Sequence, residues 1–193
     1  MGLETNLRLA NMRITRATQP AVISIRGRVS MRRSSRGFSL IELLIVVAII
    51  LILAAIAIPN LLRSRIAANQ ASAVGSLRTI NTCELTYLST FNVGYSSMLS
   101  YLGPATGPVP DSTAAGLVDS ILAGSGNNSS KSGYNFVYTP TTDSSSGRVV
   151  HYTLTADPQS TATGTSYYFT DESSIIRQNA TTVATASDSP LGG

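Results

Sequence analysis

Glu42 is the one ionisable side chain in the 21 residues from Phe38 to Ile58. An ionised carboxyl about one helical turn into such a run costs roughly 2.5 to 3.5 kcal/mol in lipid, so its chemistry is that of a charge awaiting a partner. A positive group at the same depth would meet it. Cutting between Gly37 and Phe38 in a neighbouring copy would create one, the new α-amino group. The other reactive side chains are sparse. Cys83 is the only cysteine and His151 the only histidine, which leaves no zinc-type ligand spacing and no disulfide within one chain. Cys83 falls in an apolar helical stripe and reads as a small buried hydrophobe rather than a reactive thiol. His151 reads as a solvent-facing strand residue. Asp143, Asp157, Asp171 and Glu172 stand at the ends of strands with a spacing that matches no calcium loop, so they read as turn carboxylates. Serines are abundant, but no Gly-x-Ser-x-Gly motif accompanies them and a triad would rest on His151 alone. These residues make no enzyme, no metal site and no cofactor site.

The element that carries Glu42 is an apolar block from Phe38 to Ile58, closed by Pro59. At about 1.5 Å per residue a helix of this length spans the roughly 30 Å hydrocarbon core of a bilayer. Arg32, Arg33 and Arg36 precede it, and positive flanks stay cytoplasmic, so the chain after Pro59 is expected outside the cytoplasm. Pro59 lacks an N–H and clashes with the carbonyl of Ala55, which predicts a kink in a helix that otherwise continues. Beyond it Ala73, Leu77, Ile80, Cys83, Tyr87 and Phe91 recur at steps of three and four, with Val74 and Leu88 beside them. Arg63, Arg65, Asn69, Ser72, Ser76 and Thr79 form the opposite, polar face. One helix is therefore predicted from about Phe38 to Phe91. Ala48, Ala54, Ala55 and Ala57 are small positions that let like helices approach closely.

Asn92-Val93-Gly94, Gly103-Pro104, Gly107-Pro108 and Pro110 break the helical pattern. Within this connection Asp111 is placed to cap a short helix bearing Leu117, Val118, Ile121 and Leu122, and residues 124–133 read as small, polar and mobile. From Gly133 the period becomes two. Tyr134, Phe136 and Tyr138 form one face of a strand that Pro140 is expected to end; Val150, Tyr152 and Leu154 alternate with Val149, His151 and Thr153 in a second. Tyr167 to Phe169 make a third and Ile175-Ile176-Arg177 a short fourth. Close connections force antiparallel pairing, giving a meander packed on residues 73–91. Thr181 to Gly193 has the composition of a loose tail. The N-x-Ser/Thr triplets at Asn127, Asn128 and Asn179 are frequent by chance in so Ser/Thr-rich a chain.

Gly37-Phe38-Ser39-Leu40-Ile41-Glu42, the apolar run and Pro59 together resemble the class III signal of type IV pilins and of the related type II secretion pseudopilins. The resemblance covers about 50 residues, from Arg32 to the end of the long helix. It implies a prepilin peptidase that cuts after Gly37, N-methylation of Phe38, and pairing of Glu42 with the Phe38 amine of a neighbouring copy during assembly. It also implies the pilin fold, which fits the α+β reading above: a long N-terminal helix, membrane-spanning in its first half and kinked near Pro59, on a three- to four-stranded antiparallel sheet. Many type IV pilins close their C-terminal region with a disulfide, and the single cysteine departs from that pattern.

The implied divisions are a leader at 1–37, a membrane and filament-core helix at 38–59, an amphipathic helix at 60–92, a connection at 93–133, the sheet at 134–179 and a tail at 180–193. Of 14 Lys and Arg residues eight precede Phe38, so the formal net charge of +4 belongs to the leader, and a nucleic-acid partner loses its support. Met31 stands just before Arg32 and is the expected start, which would leave residues 1–30 untranslated. The function implied is that of a structural pilus subunit whose partners are copies of itself, the peptidase, the assembly platform and motor, and the inner membrane before assembly. The precursor would sit in the inner membrane with its C-terminal region periplasmic, and the product in a surface pilus. A major pseudopilin is the alternative. A secreted soluble binding domain, cut after Ala55-Ile56-Ala57, is a distant one.

Overall fold

The computed structural model describes residues 37–192. The basic run Arg32 to Arg36, the expected start at Met31 and the last residue, Gly193, lie outside them. Helix α1 covers Leu40–Phe91, 52 residues and therefore about 78 Å in length. Pro59 lies inside it, and the helix continues through that position. It ends where Asn92 takes the left-handed conformation that Asn tolerates, with φ 54°. Gly94 follows at φ 103°, where a Cβ would stand 2.5 Å from the Val149 carbonyl oxygen. Only glycine allows this approach, and it lets Tyr95 N–H donate to that same carbonyl at 3.0 Å.

A 3-10 turn at Leu99–Leu102 and a single-turn helix α2 at Ser120–Ala123 lead to a sheet of five antiparallel strands in sequential order. These are β1 (Asn128–Lys131), β2 (Tyr134–Thr142), β3 (Val149–Pro158), β4 (Tyr167–Asp171) and β5 (Arg177–Asn179). The core forms where the stripe Ala73, Leu77, Ile80, Cys83 and Tyr87 meets Tyr134, Phe136 and Tyr138 of β2 and Tyr152, Leu154 and Ala156 of β3. This is the α+β arrangement expected from the two periodicities. Leu99, Leu102 and Leu122 seal it from the connection.

Several local expectations are corrected. The short helix is capped by Asp119, whose carboxylate accepts from the N–H groups of Ile121 and Leu122; Asp111 instead closes a turn through Thr113 and Ala114. The sheet has one strand more than expected, because Asn128–Lys131, polar and without a period, pairs along β2. β2 runs past Pro140. Tyr138 N–H points towards Asn127, so the nitrogen of Pro140, two residues on, faces the same side, beyond the end of β1, where no donor is needed. In β3, Thr141 faces His151 and Thr142 faces Val149, which leaves Val150 as an extra residue. This bulge inverts the expected alternation at the start of β3: Val149 is buried while Val150 and His151 are exposed. The last strand is Arg177–Asn179 rather than 175–177, with Ile176 in the core.

The polar helix face is also narrower than expected. Ser76 is buried, Asn69 donates to the Thr163 carbonyl at 3.0 Å and Ser72 bonds Ser132 at 2.9 Å, so these residues belong to the helix–sheet contact. The C-terminal residues are fastened rather than loose. Gln178 N–H donates to Ser189 O, Leu191 N–H to Ile176 O, and Arg177 to the Asp188 carbonyl at 2.9 Å. Asn179 caps Thr181 and Thr182 and donates to the Asp188 carboxylate, and Ala184 is buried. Backbone pairing thus performs the closure that no disulfide could supply here.

Candidate functional site

Gly37, Phe38 and Ser39 precede α1 without regular structure, and the first helical bond runs from Leu43 N–H to Ser39 O at 3.2 Å. Ser39 makes no side-chain cap, so the first-turn N–H groups have no side-chain acceptor from it. Glu42 stands in this turn, on the positive end of the helix dipole, exposed, with no hydrogen bond or ion pair among the described residues. Phe38 is 76% exposed. A Cβ added at Gly37 would meet nothing within 4 Å, so nothing packed among the described residues demands glycine there.

From Leu40 to Leu62 the large apolar side chains of α1 are exposed. Among the described residues, α1 is one helix long and apolar enough to cross a membrane. Exposed apolar area of this extent is unstable in water and must be covered by lipid or by other protein. The chain thus presents Phe38 just ahead of one continuous helix that carries Glu42 and a bare apolar rod, with the folded sheet packed on the far half. Residues 32–58 match the family model for the prokaryotic N-terminal methylation motif. The chain carries a prokaryotic N-terminal methylation motif. A segment of the chain is 49% identical over 55 residues to the type IV major pilin protein PilA of Myxococcus xanthus, covering 28% of this chain and 25% of that protein. It is 68% identical over 37 residues to the type IV wide pilus major component PilA4 of Thermus thermophilus, covering 19% of this chain and 28% of that one. The matches span about a quarter of each relative's length, and no solved structure matches. The methylation-motif match ends within the bare first half of α1.

The remaining sequence-singled residues are dispersed. Cys83 is buried with its Sγ 3.3 Å from the Leu117 carbonyl, and burial, then the Glu84 carboxyl, pushes its thiol up. His151 Nδ1 lies 2.7 Å from Glu172 on the exposed side of β3. Asp143 is held well below the ordinary carboxylate range by hydrogen bonds from Ser145 and Ser146. Asp171 caps Ser173, and Asp157 is raised by burial, its Oδ1 left without a partner. The four carboxylates considered for calcium thus serve separate local roles, and no group of three ligands exists among the described residues. Of the asparagines in N-x-Ser/Thr triplets, Asn127 receives the Leu99 N–H and Asn179 holds the tail turn.

One constellation escaped the sequence reading. Asn81 and Glu84 are buried in the helix–sheet contact. Asn81 donates to Thr170 at 2.9 Å and accepts from Tyr152 at 3.1 Å. Glu84 accepts the Ser96 N–H at 2.9 Å and lies 2.5 Å from Ser96 Oγ. The signal was present: Asn81 and Glu84 each fall four residues after a core position, Leu77 and Ile80, on the apolar stripe itself.

Proposed function

We propose that this chain is the structural subunit of a type IV pilus and not an enzyme. The observation that carries this is the methylation-motif match over residues 32–58, on a helix whose first half is bare apolar surface. On this reading the precursor rests in the inner membrane with the sheet on the periplasmic side, held there by residues 38–59. The prepilin peptidase cuts between Gly37 and Phe38 and the new amino terminus is methylated. The steric freedom at Gly37 supports this, since the demand for glycine then comes from the peptidase. The assembly platform and motor move the subunit from lipid into a helical polymer of identical copies, where neighbouring rods cover one another. Glu42 pairs with the Phe38 amine of a neighbour and sets axial register, because a misplaced copy leaves the carboxylate buried and unpaired. Pro59 is the point where the rod bends to fit that packing.

The absence of a disulfide also suits a major pseudopilin of a type II secretion system, and both relatives named above are pilus components. N-terminal sequencing of the mature protein tests the common core of the proposal: methyl-Phe38 supports it, and Ile58 as the first residue overturns it. Electron microscopy of surface filaments labelled through this chain then separates pilus from secretion apparatus.

A further inference from the structure

Four contacts join Glu84, Ser96 and Tyr138 in the core, and three of their protons are accounted for by the protein's ordinary groups. Ser96 N–H points at Glu84 Oε2 at 2.9 Å, and Tyr138 O–H donates to the Ser96 carbonyl at 2.8 Å. Ser96 Oγ lies 2.5 Å from Glu84 Oε1 and 3.3 Å from the Tyr138 oxygen. The single Ser96 hydroxyl proton can lie along only one of these two lines. With an ionised carboxylate it goes to Glu84, and the Ser96 and Tyr138 oxygens then face each other with no proton between them.

We propose that Glu84 is protonated at neutral pH and is the first donor of a one-way chain, Glu84 to Ser96 Oγ, Ser96 Oγ to Tyr138, Tyr138 to the Ser96 carbonyl, which latches the connection after α1 onto helix and sheet. One added proton gives every contact its own donor. Burial of the carboxyl, which pushes its proton affinity up, is the largest influence and acts in the same direction, against the two hydrogen bonds from Ser96 and the contact with the Tyr138 hydroxyl. The groups that face Glu84 carry no positive charge: Cys83 and Tyr87 on α1, Tyr95 and Ser96 in the connection, Tyr138 on β2 and Tyr152 on β3. The Lys131–Asp119 ion pair and the His151–Glu172 hydrogen bond leave it out. A charge on Glu84 would have no compensating cation, so ionisation opens the latch. The device makes the anchoring of residues 93–119 sensitive to alkaline conditions.

The sign follows from linkage. A folded-state proton affinity above the unfolded value gives stability that is fully present below the unfolded pKa, about 4.3, and is lost as pH rises through the folded value. The experiment uses the full mature chain in detergent micelles, comparing wild type with Glu84→Gln. The infrared difference spectrum at pH 7 should contain a protonated-carboxyl C=O band present in wild type and lost in Glu84→Gln. The stability gap between the two should shift against wild type as pH rises, with faster exchange of the Ser96 amide in wild type only. A carboxylate band at pH 7 in place of the acid band overturns the proposal, as does a gap that moves in favour of wild type. Glu84→Gln failing to fold also overturns it, because the amide can replace the acid as donor to Ser96.

Discussion

Gly37 and Glu42 make no packing or hydrogen-bonded contact that explains them among the described residues, whereas Gly94 and Glu84 are bound into the fold. This contrast makes the single-residue tests separable. Glu42→Ala removes a charge that bonds nothing among the described residues, so the protein should still insert and fold, while its incorporation into filaments stops. Fractionation of membranes and sheared filaments reads both, and normal filament yield would refute the register role. Gly94→Ala is the opposite case. Its Cβ would collide with the Val149 carbonyl at a backbone angle L-residues avoid, so the folded domain should lose about 1–3 kcal/mol or more by thermal melting, with no effect on cleavage. Gly94 was legible as a helix breaker, but not as a close contact, because its partner lies 55 positions on, across a bulge that no local pattern announces. Glu84 was overlooked for a related reason: a carboxyl inside an apolar stripe is invisible to a reading that scores only apolar positions.

The elements differ in how much of themselves they wrote into the chain. α1 and β2 each repeat one period over many residues with large side chains, and both present the faces periodicity assigned them, although β2 runs on past Pro140. β1 and the C-terminal turn are polar, short and held by backbone bonds to distant partners, so they carry no period to read. Two neighbouring aspartates show the limit of capping signals. Asp111 and Asp119 have similar sequence surroundings, and only tertiary placement decides that Asp119 caps α2. Replacing Asp119 with Ala should cost roughly 1 kcal/mol in denaturant unfolding and also free Lys131, which bonds the same carboxylate at 3.0 Å. At the helix–sheet contact, Leu77→Ala should cost about 2–5 kcal/mol, since Leu77 is fully buried in the core cluster that also holds the β2 and β3 tyrosines. Leu51→Ala, on the bare rod, should leave the melting of the domain unchanged.

For the whole molecule, the long helix joins two bodies with different solvents: a rod for lipid or for other rods, and a sheet domain for water. Surface carboxylates on the water side, Asp111, Asp119, Asp143 and Asp188, are all held below their ordinary proton affinity by hydrogen bonds, chiefly within their own turns, with Lys131 adding to Asp119 and Asn179 to Asp188. Their contribution is present above the unfolded pKa of about 3.9 and is lost as pH falls towards the folded values, so the loops should loosen in acid before the core melts. Limited proteolysis at falling pH should cut first in the 111–119, 143–148 and 185–188 turns, and uniform resistance down to global unfolding would contradict this. The fastening of the C-terminal turn by Arg177, Asn179 and Asp188 has a wider consequence. A domain closed by hydrogen bonds needs no oxidant and no thiol-exchange catalyst to mature, so the yield of folded chain should continue undiminished when cells grow without oxygen or with a thiol reductant in the medium.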